Sequence, residues 1–421
     1  MKSWKMLLSL LLCMAIVMGC FGITVAEKSQ YAGTSIELMH FWVDADDLLN
    51  EIAKEFEKET GIHVLVTLSP VSTHLSDLNA RVQMGSVPEI FTMWPGSSMP
   101  PYIESNVVAD LTDLDSEWIG RMSATARAAS SYDDKLYLAP VNYSFMGVAY
   151  NKTMFDKNAW DVPQTMDEFE ALLEKAKNTE GITAPWMMGN DCLVNVVYLL
   201  ALSSIYQKYP NFDDMVTAGE ITMDCPEMVD LYTRLYIDWP AKGYYNFDTC
   251  SGTDRMSKAA IEFLDGKAAF FRVGSWDLNI LAELNEEDIE IALMPIPGAD
   301  NDGSALAATG EAFALSATAE GDKRGAAIEF LDYLMNIENN GKLCGTLNSL
   351  SPYQGVEIAA NPVVGSFQSY VDDTARGWIM WSPAVQAKMA EAYDIILADE
   401  SEKAQVLADH LALLQNVWIS E

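Results

Sequence analysis

The stretch from Ile36 to Leu68 constrains this chain more than any other, because it reads as strand, helix, strand within 33 residues. Ile36 to Trp42 is a short apolar run rich in β-prone residues. Asp46 can cap a helix whose apolar positions, Leu48, Leu49, Ile52, Ala53 and Phe56, repeat at helical period along one face. Gly61 stops that helix. Val64 to Leu68 follows as a run expected to be buried on both faces. A strand-helix-strand unit of this kind reads as a parallel pair with a right-handed crossover, so the expected fold class is α/β.

The N-terminus reads as an export segment. Lys2 and Lys5 form a charged region, and Met6 to Met18 is an apolar run interrupted only by Ser9. Val17-Met18-Gly19-Cys20 is similar to a lipobox, in which the cysteine is lipidated and becomes the new N-terminus. Thr24-Val25-Ala26 offers an ordinary small-residue cleavage site instead. Residues 1–20 are therefore expected to be a signal segment and 21–34 a tether. No later run is long and apolar enough to span a bilayer; Val194 to Leu202 is too short.

A chain of 421 residues can bury one or two sizeable cores, and two lobes are the natural expectation. The formal net charge is −35, a surface that repels nucleic acid and anionic lipid and serves solubility outside the cell. Of the six cysteines, Cys192, Cys225, Cys250 and Cys344 lie beyond the leader, none at CxxC spacing, so no zinc or redox motif is read. Export permits disulfides; buried free thiols are the simpler expectation. His40, His63, His74 and His410 form no metal or catalytic motif. The phosphate loop, nucleophile elbow and dinucleotide fingerprint are absent. With 61 acidic residues, some carboxylate pair is always available, so a glycosidase pair carries no signal.

A series of phrases then runs along the chain in order. Phe56 to Val64 reads FEKETGIHV, Val87 to Phe91 reads VPEIF, and residues 132–157 read YDDKLYLAPVNYSFMGVAYNKTMFDK. Thr165-Met166-Asp167-Glu168 is a capping box that opens a helix with Phe169, Leu172, Leu173 and Ala176 on one face. Gly266 to Trp276, Ile291 to Gly298, Thr309 to Ser316 and Ala326 to Met335 complete the series. Over about residues 33 to 345, this order resembles the family 1, sugar-type extracellular solute-binding proteins of ABC importers. Asp134, Met166 and Glu311 depart from its pattern; Glu311 stands where the phrase usually carries a second glycine.

That resemblance implies a two-lobed, periplasmic-binding-protein-like fold with discontinuous lobes, a hinge and an interlobe cleft. The implied lobes are 35–146 plus 289–336, and 147–288 plus 337–421. The implied function is capture of a mono- or oligosaccharide and its delivery to the transmembrane subunits of an ABC permease, by a monomeric, lipid-anchored extracytoplasmic protein (or a secreted or periplasmic one if Cys20 is not lipidated). It implies no catalytic residue, metal, cofactor or nucleic-acid partner. A polyamine or peptide binder and a secreted carbohydrate-active enzyme remain as other readings.

Sugars have apolar C–H faces and hydroxyl rims, so a site for them combines flat rings with polar side chains. Trp276, after Gly274-Ser275 at a strand end, is the leading candidate for stacking. Trp42 and Asp44 end the first strand, and Trp94 ends another. The family phrases further point to Tyr143, Ser144, Trp186, Asn190, Gly310 and Glu311 as contacts, and to Trp378 as a late aromatic. Trp381 lies three residues on, a spacing that would share one helix face. Trp118, Trp160, Trp239 and Trp418 are assigned to packing.

Overall fold

The computed structural model describes residues 28–96, 98–189, 193–245, 255–299, 303, 305–358, 363–367, 370, 381–398 and 402–420. Its strands in chain order are β1 (Ser35–His40), β2 (His63–Leu68), β3 (Ile90–Met93), β4 (Ser131–Tyr132), β5 (Lys135–Leu136), β6 (Leu138–Pro140), β7 (Tyr143–Asn151), β8 (Trp186–Met187), β9 (Phe270–Gly274), β10 (Ile291–Met294), β11 (Leu306–Thr309) and β12 (Ala312–Leu315). One sheet has the order β2-β1-β3-β12-β6. In it β1 runs parallel to β2 and β3, while β12 is antiparallel to β3 and β6. The second has the order β10-β7-β9-β8, and β11 takes the remaining stretch of the β7 edge that β10 leaves. β4 and β5 form a separate hairpin.

The opening unit folds as its periodicity predicts. The helix Asp46–Thr60 buries Leu49, Ile52, Ala53 and Phe56, with Leu48 partly buried beside them. Gly61 ends it at φ 78°, in the left-handed region that favours glycine, and returns its N–H to the Glu57 carbonyl. Two details differ from expectation. Asp46 does not cap the helix, because its carboxylate pairs with His40 Nε2 at 3.1 Å. β2 is not buried on both faces: it is the sheet edge, and Leu65 and Leu68 are exposed.

Each sheet anchors its own core. The first gathers Leu38, Phe56, Phe313, Phe330 and Leu331. The second gathers Phe169, Trp186, Trp239 and Phe270 around the helix Leu193–Leu202, which is buried on nearly every side. That helix contains the apolar run noted in the sequence; among the described residues no helix is long and apolar enough to cross a membrane. The helix Met166–Lys177 buries Phe169, Leu172, Leu173 and Ala176, and Thr165 Oγ1 accepts from the Glu168 N–H. Cys225 and Cys344 are buried free thiols; Cys192 and Cys250 lie outside the described residues.

The chain passes from the first sheet to the second between β6 and β7, and back between β11 and β12. These crossings differ from the expected lobe boundaries. Residues 291–294 and 306–309 pair with β7, and Leu343 and Tyr353, expected in the second lobe, pack in the first core. The two crossing segments are bonded to each other. Val141 N–H donates to the Glu311 carbonyl at 2.8 Å and Gly310 N–H to the Asn142 carbonyl at 3.0 Å. Glu311 N–H donates to Asn142 Oδ1 at 3.1 Å. A third segment joins them where Tyr143 and Leu350 exchange backbone hydrogen bonds.

Gly310 is required by this close approach. A Cβ there would lie 2.1 Å from Ser144 Oγ and 2.8 Å from Asn142 Oδ1. We expect Gly310→Ala to push the crossings apart and lower unfolding stability by about 1–3 kcal/mol, the usual range for overpacking. Urea denaturation checks this, and an unchanged midpoint would show that the seam tolerates the methyl group.

Candidate functional site

A cleft of about 750 Å³ lies where the two sheets meet. Its first wall comes from the residues that follow β1 and β3: Phe41, Trp42, Val43 and Asp44, with Trp94 and Pro95. Its second wall comes from Asn195 and Tyr198 on the helix Leu193–Leu202, from Gln386 on the helix Pro383–Ala398, and from Ser275, Trp276 and Ile280 after β9. The crossings form its floor, with Asn142, Ser144, Thr309, Gly310 and Glu311.

The first wall is a packed aromatic block. Phe41 and Trp94 stack at 4.3 Å with 14° between planes. Trp42 sets its edge against Phe313 of β12. His74 braces the block from behind, edge-on to both Phe41 and Trp94. Burial holds the His74 imidazole below its ordinary pKa, against the opposing pull of its hydrogen bond to the Thr92 carbonyl and of Asp77, so at neutral pH the block is uncharged.

Trp276 is held differently. It is 37% exposed, and its ring lies back over Gly274, where a Cβ would fall 2.3 Å from the ring atoms. Asp277 fixes the turn: its carboxylate accepts from the Gly274 N–H at 2.9 Å and pairs with the buried Arg272 at 3.4 Å. Burying such a pair adds little net stability, but removing one partner would strand a charge, so the turn is strongly specified.

Glu311 is the partly buried carboxyl of the floor. Desolvation raises its pKa above the ordinary 4.5, opposed by hydrogen bonds from the Asn142 and Ser144 side chains, the latter at 3.2 Å. Three buried wall atoms have no hydrogen-bond partner: Trp42 Nε1, Tyr198 OH and Thr309 Oγ1. At the rim the lobes are clasped. Asn279 Nδ2 donates to Asp44 Oδ2 at 2.7 Å and to the Thr346 carbonyl at 3.0 Å, while Asn279 Oδ1 accepts from Asn348 at 2.5 Å.

Of the residues expected at a site, Trp42, Asp44, Trp94, Ser144, Trp276, Gly310 and Glu311 line this cleft together. Asp44 spends one carboxylate oxygen on Asn279. Three others do not line it. Tyr143 packs on the first core, with its hydroxyl bonded to Ser123. Trp186 is fully buried in the second core, edge-on to Phe169. Trp381 is also fully buried, with Nε1 donating to Tyr206 OH and Asp213 at 3.0 Å each. It precedes the helix Pro383–Ala398. Asn190, Trp378 and Cys20 lie outside the described residues. Tyr198, Asn195, Thr309 and Asn279 escaped the sequence reading. Tyr198 and Asn195 sit in an apolar run that reads as pure core; nothing local marks Asn279.

The family model described as "Bacterial extracellular solute-binding protein" matches residues 51–364. The chain is 24% identical over 324 residues to the multiple sugar-binding protein of Streptococcus mutans, covering 73% of each chain. It is 23% identical over 385 residues to the maltooligosaccharide ABC transporter solute-binding lipoprotein of Streptococcus pneumoniae, covering 89% of this chain and 84% of that one. Among solved structures it resembles apo RafE from Streptococcus pneumoniae, with a TM-score of 0.74 at 21% identity over 93% of this chain and 100% of that chain. It also resembles a chitin oligosaccharide binding protein, with a TM-score of 0.74 at 19% identity over 91% of this chain and 99% of the other. RafE in complex with raffinose superposes with a TM-score of 0.72 at 21% identity, covering 91% and 100%.

Two expectations follow from the geometry. Asn279→Asp would set a second carboxylate against Asp44, so small-angle scattering of the unliganded protein should give a larger radius of gyration. An identical scattering curve would dismiss the clasp. Glu311 binds its proton more tightly folded than unfolded, so the stability it contributes is fully present below pH 4.5 and is lost as pH rises through its raised value. Glu311→Gln should therefore melt at or above the wild-type temperature at pH 7, with the difference shrinking towards pH 4.

Proposed function

The chain belongs to the bacterial extracellular solute-binding proteins, and from that premise we propose that it captures a mono- or oligosaccharide outside the cytoplasm and hands it to the permease of an ABC importer. The observation that carries the reading is the cleft itself, where apolar rings from both lobes meet hydroxyl, amide and carboxyl groups on a floor made by the crossings. Rings suit the C–H faces of a sugar and the polar floor suits its hydroxyl rim. The sugar-binding names of the similar proteins support the same reading. In it the protein works as a binder rather than an enzyme. Cys20 carries the lipid that keeps it at the membrane, and the transmembrane subunits are its partners.

The mechanism is closure about the crossings. Ligand contacts made by one lobe exist in open and closed forms alike and do not bias the hinge. Contacts that need both, such as Trp42 or Trp94 with Trp276 or Tyr198, exist only when the lobes close, so binding shifts the population to the closed form. The rings supply area, and the floor supplies orientation.

Thermal-shift and calorimetric titration of the mature chain with raffinose, maltotriose, xylotriose, chitotriose, spermidine and a tripeptide tests the reading. A saccharide that binds the folded state raises the melting temperature by mass action. Trp276→Ala should weaken that saccharide about tenfold or more, from roughly 1–3 kcal/mol of ring contact and buried area. Response to spermidine or peptide alone, or turnover of a glycoside by the pure protein, would overturn it.

A further inference from the structure

We propose that Glu311 makes the cleft floor a subsite that reads hydrogen-bond donors and excludes anions. The saccharide unit seated there presents hydroxyl or ammonium groups and carries no carboxylate or phosphate. The inference rests on the saccharide reading above and deepens it.

The first argument is capacity. A carboxylate offers about four acceptor sites. The Ser144 hydroxyl donates to the Glu311 carboxylate at 3.2 Å, so acceptor sites remain for a ligand in a cleft that the residue lines. The second is charge. Among the described residues the cleft wall holds two carboxylates, Asp44 and Glu311, and no lysine, arginine or histidine. An anionic sugar would bring a like charge into a desolvated site, with no cation there to receive it. An ammonium would form a charge-assisted hydrogen bond, and a hydroxyl an ordinary one.

The third argument is complementarity. Thr309 ends β11 two residues before Glu311, and its buried hydroxyl has no partner. Tyr198 reaches the same cleft from the second lobe with a hydroxyl that is also unpartnered. Buried polar atoms left unpaired are uncommon in native proteins and call for an explanation. A sugar hydroxyl donates and accepts at once, so it can give its proton to Glu311 and receive one from Thr309 or Tyr198. A ligand carboxylate can do only the second. Position adds weight: Glu311 lies in the crossing itself, with its N–H on Asn142, so a group bound to its side chain sits at the pivot of closure.

Calorimetry on the mature chain at neutral pH tests this with raffinose and maltotriose, each as the neutral sugar, as its C6-carboxylate and as its 6-amino derivative. Wild-type protein should bind the neutral and amino forms at least tenfold more tightly than the carboxylate. Glu311→Gln should weaken the neutral sugar about tenfold and narrow the gap to the carboxylate by a similar factor, while the unliganded protein melts no lower than wild type. Glu311→Gly gives the same readout if the glutamine variant misfolds, whereas Tyr198→Phe, which removes a donor that both forms can use, should weaken the neutral and carboxylate forms alike. Equal binding of neutral and carboxylate forms by wild type, or unchanged affinities in the variants, would overturn the role of Glu311 and leave the saccharide reading standing. Failure of every neutral saccharide in the wider panel to bind would overturn both.

Discussion

Asn142 ties together the two strands that cross between the sheets. Its carbonyl accepts from Gly310, its side-chain oxygen accepts from Glu311, and its neighbour Val141 donates to the Glu311 carbonyl. Val141 in turn receives Asn340 Nδ2 at 2.8 Å from the first lobe. Buried backbone groups must be paired, and here the pairing partners lie on different crossings rather than in one sheet. The two crossings therefore form one bonded seam. Each sheet has its own close-packed core, so the seam links two separately packed bodies. The cleft lies over the seam, where side chains from both sheets and from the crossings converge.

The cleft wall is built against stability. Trp42, Tyr198 and Thr309 each bury a polar atom without a partner, and Glu311 is a carboxyl whose charged form burial disfavours. Each unpaired group costs on the order of 1–3 kcal/mol relative to one that finds a partner. The surroundings offset this with rigidity: the Phe41–Trp94 stack on one side, and the Arg272–Asp277 pair holding the Trp276 turn on the other. The unpaired groups thus sit inside a firmly packed frame, the pattern in which local rules are broken where side chains serve something other than stability.

Much of the fold was legible because its signals are local. The helices Asp46–Thr60 and Met166–Lys177 bury the residues their periodicity marks, since one face of a helix reads directly as spacing in the chain. Gly61 was legible because a left-handed cap needs a residue without a Cβ. The failures were non-local. An apolar run such as Val64 to Leu68 reads the same at a sheet edge as in its middle, and only the strand order made β2 an edge. Trp186 and Trp381 resembled ligand rings because a tryptophan near a strand or helix end suits a cleft or a core equally well; packing against Phe169 and Tyr198 put both in the core.

Spacing and short contiguous phrases are enough to specify an α/β chain of strand-helix units, its family resemblance, and seven of the nineteen described residues that line the cleft. Packing of the two cores against each other set where the chain crosses between sheets, that Asp44 answers to Asn279, and that Tyr198 and Thr309 line one cleft with Glu311, each with an unpaired hydroxyl. Those are relations between residues up to 235 positions apart, and no local propensity encodes them. They arise only when two separately packed cores are brought together, because hydrogen bonding and burial act on distance in space, not on distance along the chain.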